Sequence, residues 1–117
     1  SVALHDIVDV PVVGPDGRDP VGTSLSQACR QAGVGFHRAV VTVQTYHAAL
    51  AMAHHGLGVA LVDGCTAGSA DRGKVDVLAL EPHIPVPVRA LRLAGRPDSV
   101  AVRAITQAMR EAIEQMA

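Results

Sequence analysis

The chain has 117 residues, enough for one domain with a modest core, and 49% of them are hydrophobic, which excludes a disordered segment. Net charge is −1 with no run of basic residues, so the chain carries no electrostatic footprint for nucleic acid. No uninterrupted apolar stretch approaches the ~20 residues needed to span a bilayer. Aromatic residues are only 2%, so the core must be built from Val, Leu, Ile and Ala, a composition suited to parallel strands covered by helices. Ser1 to Asp6 lacks the basic start and apolar centre of a signal peptide. The chain opens in mid-pattern without an initiating Met, and a fragment of a longer protein is expected.

In chain order, a first strand is expected up to Val13, beginning at Val10 or Pro11, because Pro11 interrupts the run from Ile7. Gly14 to Pro20 reads as a loop from its Gly and Pro content. A helix from about Gly22 to Ala32 puts Leu25, Ala28, Cys29 and Ala32 on one face, with Thr23 or Ser24 as its cap and Gly33 as its end. Ala39 to Val43 is a β-branched strand, Thr45 a cap, Tyr46 to His55 an Ala-rich helix closed by Gly56, and Val59 to Val62 a further buried strand. A strand–helix–strand unit this tight implies a right-handed crossover between parallel strands. Gly64 to Lys74 is read as a loop with a short helical turn, and Val75 to Leu80 and Val86 to Leu93 as strands. From Ser99 onward, Val102, Ile105, Met109, Ala112, Ile113 and Met116 recur at helical intervals. The order is that of an α/β chain.

Chemistry is sparse. Gly17 to Ser24 has the glycine spacing of a phosphate-binding loop, but Thr23 stands where that loop needs lysine and Pro20 removes a backbone donor. An ordinary turn and cap is the preferred reading, with a small anion at the helix N-terminus as the alternative. Six histidines raise the question of a metal. His47 and His54 sit two turns apart, ~10 Å by helical rise, and no His-x3-His or Cys-x2-Cys spacing occurs, so no metal or cofactor is expected. Cys29 reads as a small core residue; Cys29 and Cys65 are expected as free thiols. No nucleophile–base motif is present, and no catalytic residue is assigned. Asp16, Asp19, Gln44, Thr45 and Asp63 lie at or near the C-terminal ends of expected parallel strands. They are either solvated turn residues or the lining of one cleft, and the edge they share favours the cleft.

The run Leu25 to Gly33, then Val41 to Thr45, then Ala53 to Val62 resembles the effector-binding domain of LysR-type transcriptional regulators. Val77 to Leu80, Pro85 to Arg89, and Arg96 to Ser99 before an amphipathic helix fit the same pattern, so the resemblance covers nearly the whole chain. It implies a lobe like those of type 2 periplasmic binding proteins, with a parallel or mixed sheet flanked by helices. Residues 10–82 would form the second lobe; residues 83–117 would return to the first lobe as a strand and the C-terminal helix. By that pattern Gly14, Pro15 and Asp16 after the first strand, Val43, Gln44 and Thr45 after the next, and Asp63 would face a small-molecule effector, with Asp19 nearby.

The resemblance further implies a cytoplasmic bacterial protein acting as a homodimer or homotetramer, with helix Tyr46–His55 near the dimer contact. DNA would be bound only through an N-terminal winged helix-turn-helix domain that these residues do not include. The loop from Gly14 to Pro20 looks most like regulators that answer to amino acids or their conjugates, and Asp63 replaces a common Pro. A solute-binding protein of a transporter and an enzyme on the same two-lobed fold are the rival readings; a remnant that binds nothing alone is a third.

Overall fold

A computed structural model describes residues 1–16, 18–35 and 41–116. It divides into two compact units, Ser1–Val86 and Pro87–Ala117.

The first unit is built on three parallel strands: β2 (Val12–Pro15) lies between β3 (Val41–Val43) and β4 (Val59–Ala60). As the central strand β2 is covered on both sides by neighbours, and its Val12 and Val13 are both buried. Helix α1 (Pro20–Gln31) links β2 to β3, and α2 (Tyr46–His54) links β3 to β4. These two connections step across the sheet in opposite directions, so right-handed crossovers put α1 and α2 on opposite faces. Their core partners differ accordingly. Leu25 and Cys29 of α1 join Leu4 and Ile7 of an N-terminal 3-10 turn, with Val2, Leu61, Leu80 and Ile84 packed around them. Helix α2 instead buries Ala49 and Leu50 and packs against β2 and β4. A short parallel pair, β1 (Val2–Ala3) and β5 (Leu80–Glu81), closes the α1 side.

Local rules account for the boundaries, and some expectations need correction. The first strand does not end at Val13 but runs on to Pro15, because Gly14 and Pro15 stay in register with Thr42 and Val43. Helix α1 begins at Pro20, with Asp19 and not Thr23 or Ser24 as its cap: Asp19 Oδ1 accepts from the backbone N–H groups of Val21 and Gly22 at 2.7 and 2.8 Å. Proline at the first helical position loses no bond, since that N–H has no helical partner anyway. The expected strand start at Ala39 and Val40 lies outside the described residues. Thr45 caps α2 as expected, its Oγ1 accepting from Ala48 N at 3.2 Å. Gly56 follows the helix at φ +76°, the left-handed conformation that a side chain disfavours.

The short turn expected between Gly64 and Lys74 is α3 (Gly64–Gly68), capped by Asp63. Of the strand expected over Val75–Leu80, Leu80 alone is in a strand. Val86 to Leu93 forms no strand, so its alternation of apolar and polar residues finds no neighbouring ladder.

The second unit carries α4 (Val100–Met116). Ser99 Oγ accepts from Val102 N at 3.2 Å at its start, and Arg92 pairs with Asp98 in the preceding turn. Its apolar stripe, Val102, Ile105, Met109, Ile113 and Met116, is exposed.

Candidate functional site

Parallel strands bring their C-terminal ends to one edge, so the chain leaves β2, β3 and β4 on the same side of the sheet. Each exit leads into a helix: Asp16 toward α1, Gln44 into α2, and Asp63 into α3. Three helix N-termini therefore converge there.

Each N-terminus is closed by its own side chain. Asp19 takes two N–H groups of α1, Thr45 takes one of α2, and Asp63 Oδ1 accepts from Thr66 N at 2.8 Å while its Oδ2 accepts from Thr66 Oγ1 at 3.0 Å. These caps explain why Asp and Thr residues sit where they do: an unpaired N–H at a helix start costs free energy that a side-chain oxygen recovers. They also weaken the small-anion reading of α1. Its Val21 and Gly22 donors are already engaged, and the Ser24 hydroxyl donates back to the Pro20 carbonyl at 2.9 Å.

Asp16 belongs to the exposed rim. Its carboxylate accepts from Arg18 Nε at 2.9 Å and Nη2 at 2.6 Å, and the hydrogen bond and charge of Asp16 raise the Arg18 pKa further. The Asp16 carbonyl accepts from Asp19 N at 2.9 Å, which turns the chain from β2 into α1. Gly14 is buried within β2, and Pro15 is the last residue of that strand, so both precede the strand exit instead of following it. Val43 is half-buried at the end of β3, and Gln44 beyond it is exposed.

Sequence reasoning missed Tyr46. Its hydroxyl donates to Asp19 Oδ2 at 3.0 Å, joining the first turn of α2 to the cap of α1 across 27 residues of sequence. Burial, then the Asp19 hydrogen bond, then the charges of Asp19 and Asp63 push its pKa up to about 12. So Asp19, Tyr46 and Asp63 form one electrostatic group on this edge, with Thr45 adjacent in sequence. Two signals were present: Tyr46 is the sole tyrosine in the chain, and it directly follows a cap at a strand–helix junction.

Elsewhere the chemistry is bland. Among the described residues, no three His, Cys, Asp or Glu side chains come together as a metal site. Cys29 and Cys65 are free thiols; Cys29 is in the core, where burial pushes the thiol pKa up, and Cys65 is exposed. His54 Nε2 accepts from Asp71 N at 3.3 Å, tying the end of α2 to the loop after α3. No helix among the described residues is long and apolar enough to cross a membrane.

Comparison with curated proteins finds no match, and comparison with solved structures finds none either. The family comparison is positive: the LysR substrate binding domain matches residues 1–114. With that match and a parallel α/β core whose helix N-termini meet at one sheet edge, the chain belongs to the LysR substrate-binding-domain family, which has the fold of type 2 periplasmic binding proteins.

Proposed function

We propose that the C-terminal edge of β2, β3 and β4 is the effector site of this domain, with Gly14, Pro15, Asp16, Asp19, Val43, Gln44, Thr45 and Asp63 supplying its strand ends and helix starts. Effector sensing is the business of the family; the edge, and an amino acid or related compound as effector, are our reading. The observation that carries it is the convergence of three capped helix N-termini on one sheet edge. Open α/β sheets bind ligands where their strands end, since the loops there approach one another without covering the edge.

In this reading residues 10–82 act as one lobe and residues 83–117 as the return to another. The domain works in a cytoplasmic regulator without catalysis. DNA contact belongs to a winged helix-turn-helix domain outside these residues. Assembly into a homodimer or homotetramer uses α2 and β4. The support for that surface is its exposure: His47, Ala51 and His55 lie four residues apart and are exposed, as are Leu57 in the turn that follows and Val59 of the edge strand β4. Ala48 is half-buried, so it is not part of that face.

A thermal-shift screen of the full chain against the common L-amino acids tests the effector reading. At least one compound should raise the melting temperature, and Gln44→Ala should reduce that rise without lowering the melting temperature of the free protein. No shift with any of them would sink the amino-acid assignment.

A further inference from the structure

The capping bonds at the sheet edge are local, spanning two or three residues each. The bond from Tyr46 to Asp19 is of another kind: it spans 27 residues and joins two helices that lie on different connections of the sheet. Asp19 has an oxygen for each task. Oδ1 serves the α1 backbone, and Oδ2 receives the phenol. A phenol is a rigid lever with two torsions, and a hydroxyl donating to a carboxylate makes a charge-assisted bond stronger than a neutral one.

We propose that Tyr46 is the positioning residue of this edge: beyond the last ladder pair, Pro15 with Val43, it holds the α2 N-terminus to the α1 cap and so sets the spacing between the Arg18–Asp19 and Gln44–Thr45 segments that an effector would bridge. This rests on the reading of the edge as the effector site. An effector that draws these segments together or apart must strain the Tyr46–Asp19 bond, which gives the two arrangements a difference in free energy for binding to act on. Tyr46 need not touch the effector for this.

The sequence offers a clean readout, because Tyr46 is the sole tyrosine and tryptophan is absent. The full chain is compared with Tyr46→Phe, which keeps the ring, and with Asp19→Asn, which keeps the Oδ1 cap and removes the charge. Without any ligand, folded wild type at pH 10, the ordinary tyrosine midpoint, should show little phenolate absorbance, and Asp19→Asn should show more. Tyr46→Phe should keep its circular dichroism while amide exchange at Val21, Gly22 and Ala48 quickens by about tenfold. Half-ionised Tyr46 in folded wild type, or unchanged exchange in Tyr46→Phe, overturns the proposal.

With the common L-amino acids as probes, the concentration giving a half-maximal thermal shift should rise by about tenfold in Tyr46→Phe. An equal concentration in both proteins also overturns it. If wild type answers to none of the probes, the amino-acid reading fails, and the absorbance and exchange results alone decide whether Tyr46 positions the edge.

Discussion

At the scale of single residues, Asp19 bears the largest share of the edge. Replacing it with Ala removes two backbone caps and the acceptor of Tyr46 together. Loss of about 2 kcal/mol in urea unfolding is expected for Asp19→Ala, and a smaller loss for Asp19→Asn, which can still cap. Tyr46 gives stability a dependence on alkaline pH. Its folded pKa lies above its ordinary value of 10, so the stabilisation is complete below pH 10 and is lost as pH rises toward about 12. Chemical unfolding followed across that interval should show the decline in wild type and a flatter curve in Tyr46→Phe. Gly58, just before β4, is tightly constrained. It sits at φ +149°, and a Cβ there would lie 2.3 Å from the Pro11 carbonyl oxygen, the atom that accepts from Val59 N at 2.8 Å. Gly58→Ala must therefore displace β4 from β2, and a loss of at least about 2 kcal/mol is expected by the same unfolding measurement.

At the scale of elements, α2 has two ends of one task and two faces of different character. Its first turn meets the sheet edge through Thr45 and Tyr46, and its Ala49 and Leu50 side is buried against the sheet. The opposite side, through His47, Ala51 and His55, is open. If the proposed assembly uses this face, a bulky charge at Ala51 should lower the mass seen by light scattering while leaving the melting temperature within a few degrees, because Ala51 is exposed and no core contact is touched. Thr45→Ala is a poorer probe of effector binding than Gln44→Ala, since loss of the cap alone costs about 1 kcal/mol. Helix α1 is different: Leu25 packs into the cluster with Leu4, Ile7 and Cys29, so Leu25→Ala should destabilise the first unit by about 2–5 kcal/mol without acting on the edge directly.

At the scale of the whole molecule, the sequence by itself determined the α/β class, the alternation of strand and helix from Val12 to Asp63, the Thr45 cap, the core role of Cys29 and the family, but not the N-terminal strand and 3-10 turn. These are local or periodic properties: β-branched runs, helical spacing of apolar residues, and residues whose backbone or hydroxyl preferences mark an element's end. Tertiary structure decided what pairing across distance decides. Gly14 and Pro15 became strand because Thr42 and Val43 lie in register beside them, while Val86 to Leu93 alternates as well as many strands yet has no ladder to join. A strand is completed only by its neighbour, so periodicity alone cannot assign one. The edge divides the same way. That Asp16, Asp19, Gln44, Thr45 and Asp63 would gather near strand ends follows from chain order and crossover handedness. That Asp19 shares its carboxylate between α1 and Tyr46 does not, because a contact across 27 residues exists only once both helices are docked on the sheet.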